Sequence, residues 1–290
     1  MKIFTDFNMT VDPDEIGSLL DKIRANIPSV GDKELLKRIF SLIDLTTLSE
    51  RDNIDNVTLL CEKVNMLTDS YPSMPSVAAI CIYPEMVQVV KEHLVNPLVN
   101  IASVGGGFPA SQTFTNIKIM EIEQAIGQGA DEIDIVLPVG KFLMEDFEYV
   151  EYEIQTIKER IREVHLKVIL ETGSLKDYSL IRKASFLAIG AGADFIKTST
   201  GKIAVGATPE AMVIMCQAIG EYYNKTGKKI GIKPAGGISD AETAILYYAI
   251  VKEILGEDWL NSERFRIGAS RLANNLLALI FDQTPDFVYF

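Results

Sequence analysis

Short apolar segments alternate with longer amphipathic segments eight times from about residue 40 onward, and this pattern limits the possible folds more than any other feature. The apolar segments predict strands at residues 42–48, 77–82, 98–104, 132–138, 165–172, 194–198, 229–233 and 264–268. Apolar residues spaced three and four apart predict helices at residues 51–68, 85–94, 113–127, 147–164, 178–190, 209–224, 241–255 and 270–281. This repetition predicts an α/β fold, a (β/α)8 TIM barrel of eight parallel strands. A doubly wound open sheet is the main alternative.

The pattern runs without a linker-like or low-complexity segment, so we expect one domain over residues 1–290. Residues 1–35 precede the first predicted strand and form an N-terminal helical extension. Its amphipathic stretch, residues 13–27, is expected either to pack on the bottom of the barrel or to mediate association between copies. The sequence does not decide between these two roles, so self-association stays open.

The charge of the chain limits its partners. A formal net charge of −12 argues against binding to nucleic acids or to anionic membranes. No apolar run reaches transmembrane length, and the N-terminus lacks the layout of a signal peptide. Cys61, Cys81 and Cys216 are odd in number and far apart, which predicts reduced core thiols. Together these features favour a cytoplasmic location.

Two lysines close neighbouring predicted strands. Lys197 ends the sixth strand and Lys233 the seventh, at the edge where barrels of this type hold their active sites. Adjacent strands lie about 4.8 Å apart, so the two ammonium groups would lower each other's pKa. A lysine that loses its proton is a nucleophile towards carbonyl groups. The alternative is that each lysine reaches solvent or pairs with an acid.

Aspartates interrupt two other apolar strands. Asp134 lies between Ile133 and Ile135, so alternation directs its side chain into the barrel, where it can balance a lysine and move protons. A purely structural ion pair is an equally good interpretation of the residue pattern. Asp44 is a weaker candidate because an aspartate before threonine also suits a strand end or a turn.

Small residues follow the last two predicted strands. Gly236 and Gly237 come after the seventh strand, and Gly268 and Ser270 come after the eighth, where the last helix begins. Backbone N–H groups in these loops and at a helix N-terminus are the usual phosphate site of such barrels. Glycines are also common in tight turns, so neither loop alone indicates a phosphate site. The two loops together do.

Other chemistries have little support. His93 and His165 lie on different elements without metal-ligand spacing to any cysteine. The stretch at residues 105–110 fits a dinucleotide-binding pattern by letter, but the following helix begins too late, so we interpret it as a loop.

Seven segments in the same order along the chain resemble the deoxyribose-phosphate aldolase family. They are Leu42-Ile-Asp-Leu-Thr-Thr-Leu48, Ala79-Ile-Cys-Ile-Tyr-Pro84, Gly129-Ala-Asp-Glu-Ile-Asp134, Lys167-Val-Ile-Leu-Glu-Thr-Gly173, Phe195-Ile-Lys-Thr-Ser-Thr-Gly-Lys202, Lys233-Pro-Ala-Gly-Gly237 and Arg266-Ile-Gly-Ala-Ser270. The resemblance runs from Leu42 to about Leu277, and the segments around Lys197 and Lys233 are the most specific.

The resemblance implies a class I aldolase, a carbon–carbon lyase of deoxyribonucleotide catabolism that splits 2-deoxy-D-ribose 5-phosphate into acetaldehyde and D-glyceraldehyde 3-phosphate. It implies that Lys197 forms the Schiff base, that Lys233 perturbs it and that Asp134 moves protons. The implied substrate-binding residues are Asp44, Thr200, Lys202, Gly236, Gly237, Gly268 and Ser270. No metal and no cofactor is expected, because a protonated imine serves as the electron sink.

The chain departs from this family at two places. Many relatives have a second serine after the one at 270, where this chain has Arg271, which either strengthens phosphate binding or points away. Several relatives use a C-terminal tyrosine as a proton donor, whereas here Tyr289 is followed by Phe290. The rival interpretations are a Schiff-base aldolase for a longer sugar phosphate and a non-catalytic phosphosugar-binding barrel.

Overall fold

The computed structural model describes residues 2–284 and 287–290, and its core is a sheet of eight parallel strands closed into a barrel. The strands are β1 (Ile43–Thr46), β2 (Ala79–Ile82), β3 (Asn100–Gly105), β4 (Glu132–Val136), β5 (His165–Ile169), β6 (Phe195–Lys197), β7 (Gly231–Lys233) and β8 (Ile267–Ala269). Consecutive strands pair from β1 to β7, and β8 pairs with β1. Bridges from Ile232 to Phe265 and from Ala235 to Gly268 close the remaining gap. The predicted barrel is confirmed.

Helices cover the barrel. They are α1 (Lys2–Asp6), α2 (Pro13–Ala25), α3 (Lys33–Phe40), α4 (Ile54–Asn65), α5 (Leu67–Ser70), α6 (Val87–His93), α7 (Thr115–Gly127), α8 (Val139–Leu143), α9 (Phe147–Ile161), α10 (Tyr178–Gly190), α11 (Pro209–Thr226), α12 (Ala241–Leu255) and α13 (Arg271–Ile280). Every helix predicted after the first strand is present. The prediction for residues 51–68 was too long, because α4 and α5 are separate helices there.

The strands are mostly apolar because parallel strands in a barrel are covered on both faces. Strand β4 is buried at all five positions, and β2 at all four. The helices begin and end where the local chemistry allows. In α11, the Thr208 hydroxyl accepts from the Ala211 N–H, Pro209 opens the first turn, and Gly227 ends the helix with φ of 73°. The loop predicted at residues 105–110 is also present, since α7 begins only at Thr115.

The N-terminal helices lie on the outside of this layer. Helix α2 packs against α11 and α12, and Phe7 stacks on Phe186 with ring centroids 4.3 Å apart. The amphipathic stretch therefore has packing partners in the outer helices.

The three cysteines are free and buried, as predicted. Within residues 2–284 and 287–290, no helix combines the length and the apolar character needed to cross a membrane. The cytoplasmic location stays a prediction.

Candidate active site

The strand register places Lys197 and Lys233 side by side. They are partners in the pairing of β6 with β7, so their side chains leave neighbouring strands at the same level and on the same face. Both ammonium groups contact one oxygen of Asp134 on β4, Oδ2, at 2.8 Å from Lys197 and 2.7 Å from Lys233. The structure thus brings together the three residues that the sequence singled out for catalysis.

Asp44 lies deeper in the barrel than its predicted role in substrate binding suggests. Its side chain is fully buried. Oδ2 lies 2.5 Å from the Lys233 ammonium group, and Oδ1 accepts from Arg266 at 2.6 Å. In this structure Asp44 therefore supports Lys233 and is enclosed by side chains.

Three further buried charges extend this cluster, and the sequence reasoning gave none of them a role. Lys167 on β5 contacts Glu132 and lies 3.1 Å from Asp134 Oδ1. Arg266, just before β8, lies 2.7 Å from Glu132 Oε1. Arg266 is hydrogen-bonded to Asp44, and Lys167 is hydrogen-bonded to Glu132. The other two contacts, between Lys233 and Asp44 and between Lys167 and Asp134, are ion pairs by distance but lack hydrogen-bond geometry.

The cluster shifts the pKa values of its lysines in opposite directions. Burial lowers the pKa of Lys197, and the neighbouring Lys233 charge lowers it further, against the opposing effect of Asp134. Burial also disfavours the Lys233 cation, but Asp134 and Asp44 outweigh it and hold the pKa of Lys233 well above its usual value. Burial acts on Lys167 in the same sense, and Asp134 and Glu132 raise its pKa. Lys197 is therefore the lysine of this cluster whose neutral amine is favoured.

Lys197 also faces a cavity. A pocket of about 400 Å³ lies at the carboxyl ends of the strands, a volume suited to a small ligand. Lys197 reaches its wall from below, whereas Lys233 and Lys167 are fully buried. The loops after β1, β6, β7 and β8 form the other walls. The cavity gives a ligand access to the one amine of the cluster with a lowered pKa.

The loop after β6 holds Thr200 and Lys202 against this cavity. The Thr200 hydroxyl donates to Glu171 at 2.5 Å and accepts from the Lys202 N–H at 3.1 Å. The Lys202 ammonium group donates to the carbonyl of Leu48, in the loop after β1, and both residues line the pocket. Glu171, which the sequence reasoning missed as an anchor of this loop, is buried with φ of 53°.

The glycine loops predicted to bind phosphate line the opposite side of the cavity. Gly236 and Gly237 have φ of 87° and 80°, a conformation that favours glycine. Among the described residues, nothing accepts a hydrogen bond from their N–H groups. Gly268, Ser270 and Arg271 complete this wall, where α13 begins. Unpaired amides beside a helix N-terminus favour an anion.

The C-terminal residues lie outside the cavity. The Tyr289 hydroxyl donates to the Lys63 carbonyl at 2.9 Å, and its N–H donates to Asn274 at 2.8 Å. The Phe290 ring lies 6.3 Å from that of Phe40. This arrangement keeps the hydroxyl of Tyr289 on α4, so a role for it in proton transfer stays a prediction.

Comparisons with known proteins agree with this architecture. A family model described as DeoC/LacD family aldolase matches residues 38–250. A Caenorhabditis elegans protein with a provisional assignment as deoxyribose-phosphate aldolase is 41% identical over 270 residues, 92% of this chain and 88% of its own. The deoxyribose-phosphate aldolase of Homo sapiens is 40% identical over 259 residues, 85% of this chain and 80% of its own.

A solved structure shares the fold. The tetrameric deoxyribose phosphate aldolase of Aeropyrum pernix superposes with a TM-score of 0.61 at 24% identity, covering 87% of this chain and 98% of that one. Fold, charged barrel and matching model together define an aldolase, a carbon–carbon lyase. The chain belongs to the DeoC/LacD aldolase family.

Proposed function

We propose that this protein cleaves 2-deoxy-D-ribose 5-phosphate into acetaldehyde and D-glyceraldehyde 3-phosphate through a Schiff base on Lys197. The observation that carries the proposal is the position of this lysine. Its amine lines the cavity, and its pKa is lowered by burial and by Lys233. Among the described residues it has one carboxylate partner, Asp134, which it shares with that second lysine. The relative at 40% identity supports the choice of substrate.

In the first step the neutral amine of Lys197 attacks the aldehyde carbon of the open-chain sugar and forms a carbinolamine. Loss of the former carbonyl oxygen as water leaves a protonated imine. We assign the proton transfers of this dehydration to Asp134, 2.8 Å from the amine, and to Lys233, 2.7 Å from the same carboxylate oxygen.

The carbon–carbon bond between C2 and C3 then breaks. Its electron pair moves to C2 and neutralises the iminium as an enamine, while the C3 hydroxyl loses its proton and becomes the aldehyde of glyceraldehyde 3-phosphate. A proton added to the enamine carbon restores the imine, and water hydrolyses it to acetaldehyde and the free amine of Lys197. We assign these proton transfers to Asp134 and Lys233, with water.

The phosphate group is assigned to the wall formed by Gly236, Gly237, Gly268 and Ser270. The protein as a whole is acidic, with a net charge of −12, so an anionic substrate needs a local attraction. It comes from the two glycine amides, which have no acceptor within the described part of the chain, from the first turn of α13 and from the exposed guanidinium of Arg271. We assign Thr200 and Lys202 to the sugar end of the cavity, because their loop faces this wall.

Reductive trapping tests the proposal. Acetaldehyde with borohydride is expected to attach an ethyl group to Lys197, identified by peptide mapping, and Lys197→Arg is expected to remove the adduct. An unmodified wild-type protein, or a Lys197→Arg variant with full turnover, would refute the assignment. Initial rates with deoxyribose 5-phosphate and with a ketose phosphate, measured side by side, separate this substrate from a longer sugar phosphate.

We also propose that the chain self-associates, in line with the tetrameric relative from Aeropyrum pernix. Light scattering at assay concentration is expected to give a mass above the 32.1 kDa of one chain. A monomer mass at all concentrations would refute this.

A further inference from the structure

Six buried charges in the barrel form a closed ring in which cations and carboxylates alternate. In order around the ring, they are Asp44, Lys233, Asp134, Lys167, Glu132 and Arg266, and Arg266 contacts Asp44 again. Each cation lies between two carboxylates, and each carboxylate lies between two cations. We call these six residues the charge ring. With all six ionised, its charges sum to zero.

Lys197 is attached to the charge ring but is not a member of it. Its ammonium group contacts Asp134 Oδ2, which Lys233 already contacts, and no second carboxylate lies within ion-pair distance of it among the described residues. A proton on Lys197 would therefore give a buried, otherwise neutral cluster a charge of +1. Such a charge is costly in a medium of low dielectric constant, so the amine of Lys197 is the group that gives up its proton.

We propose that Arg266 and Glu132 are positioning residues for the aldolase reaction, which close the charge ring and thereby leave Lys197 as its surplus cation. This inference rests on the proposed function of Lys197. Neither residue lines the cavity or contacts Lys197, and both act through their neighbours. Arg266 holds Asp44, which holds Lys233, and Glu132 holds Lys167.

An arginine in the ring matters because its charge is fixed. A guanidinium stays protonated at any physiological pH, so the ring cannot be relieved of its cation there. The Nη1 and Nη2 atoms contact the two carboxylates at 2.6 and 2.7 Å, and Nε donates to the Ser262 carbonyl. Asn100 donates to Glu132 at 2.7 Å from β3. The surrounding atoms thus fix both charges, and neither side chain lines the cavity.

Several groups face Lys197 from other strands and share in setting its protonation. Asp134 on β4 favours the cation, Lys233 on β7 opposes it, and the Cys81 thiol on β2 is a weaker neighbour. A substitution at Arg266 replaces none of these groups and adds no new contact to Lys197. A shift in the titration of Lys197 caused by such a substitution would therefore report the charge count of the ring.

The test is the pH dependence of trapping at Lys197. The full-length protein is treated with acetaldehyde and cyanoborohydride from about pH 5.5 to pH 9.5, a range that brackets a lysine pKa lowered by a few units. The rate of adduct formation is measured by intact mass, and its midpoint reports the protonation of the amine. Arg182→Met is the matched control, because Arg182 is also buried and paired, with Glu221 at 2.5 Å, but lies in α10.

Arg266→Met removes a positive charge, so a proton on Lys197 then neutralises the cluster. We expect its midpoint to rise by about one pH unit or more. Arg266→Lys keeps the charge and is expected to shift the midpoint by less than half as much, and Arg182→Met is expected to leave it unchanged. Glu132→Gln removes a negative charge and is expected to move the midpoint the other way, to lower pH.

Opposite shifts from the two ring variants distinguish charge counting from general damage, which would lower the rate without moving the midpoints in opposite directions. If Arg266→Met does not fold, the downward shift of Glu132→Gln carries the test alone. Folded ring variants with wild-type midpoints would overturn the inference, as would shifts in the same direction. A wild-type protein without any adduct at Lys197 would instead refute the proposed function itself.

Discussion

Lys118 and Lys197 are both buried and both paired with a carboxylate, and only their surroundings distinguish their expected behaviour. Lys118, in α7, contacts Glu153 in α9 at 2.6 Å and the Ser111 hydroxyl at 2.7 Å. The second oxygen of Glu153 accepts from Thr115 at 3.0 Å and Tyr149 at 3.1 Å. This is one cation for one carboxylate, enclosed by helices and a loop, and every polar atom of the pair has a partner.

The barrel differs in its charge count and in its access. Four cations share three carboxylates there, so one cation lacks a carboxylate of its own. That cation is Lys197, and it is also the one that borders the cavity. Burial alone therefore does not make a lysine reactive. A surplus of positive charge and an opening towards the substrate do.

The largest expected effect is on turnover. Lys197→Arg keeps a cation but removes the amine nucleophile, so we expect kcat to fall by at least about a thousandfold. Lys118→Met removes a lysine that is equally buried, and the folded variant should keep the wild-type kcat within about threefold. Steady-state assays of the two variants check this. Comparable losses in both would erase the distinction between the two regions.

The next effect concerns Lys233 and pH. Because the reaction needs the neutral amine of Lys197, activity rises as pH rises through its lowered pKa. Lys233→Met removes a repelling positive charge, and Lys197 no longer shares Asp134 with Lys233. The pKa of Lys197 therefore rises. We expect kcat at pH 7 to drop about a hundredfold and the acid limb of the pH–kcat profile to move to higher pH. An unshifted limb would contradict this role for Lys233.

For stability, in contrast to turnover, we expect the substitution at Lys118 to have the larger effect. Lys118→Met leaves Glu153 buried without a cation, which is expected to lower the free energy of unfolding by about 3 kcal/mol. Lys197→Met leaves Asp134 with Lys233 and Lys167, so the expected loss is below about 1.5 kcal/mol. Urea unfolding at pH 7 measures both. A larger loss at Lys197 than at Lys118 would show that the barrel cation is a structural partner after all.

The smallest effect is at the phosphate wall. Arg271 borders the cavity at the start of α13, and its guanidinium has no ion-pair partner among the described residues. Arg271→Ala is expected to raise KM for deoxyribose 5-phosphate about tenfold. It should leave the rate with unphosphorylated deoxyribose unchanged, and Lys228→Ala, an exposed change before β7, should affect neither. Equal effects on both sugars would rule out a phosphate contact.

The sequence predicted the barrel because the strand–helix alternation is local and repeats. It also singled out Lys197, Lys233 and Asp134, which the structure brings together, because charges at the ends or centres of apolar strands are rare. Glu132 and Lys167 are also charged residues in apolar strands. Glu132 lies two positions before Asp134 in β4, so both side chains are on the same face. Glu132 went unassigned because a charge at the start of a strand reads as a solvated end. Lys167, the third residue of β5, went unassigned although a lysine inside an apolar strand is equally unusual.

The contacts that join the cluster were beyond sequence reasoning. Arg266 and Asp44 are 222 positions apart, and they meet only because β8 pairs with β1 in a register that sets Asp44 opposite Gly268. Closure and register are properties of the whole barrel. The same register sets the depth of Asp44 below the cavity. The sequence therefore suggested a contact with substrate, whereas the structure encloses Asp44 among other side chains.

The most direct test of this account is a titration of Lys197 itself. With lysine labelled at Cε and Nζ, and with Lys197→Arg used to assign the signal, NMR would follow the ammonium group from pH 5 to pH 11, a range that includes the usual lysine pKa of about 10.4. The account predicts a midpoint clearly below that value. A Lys197 midpoint at or above the usual value would contradict it.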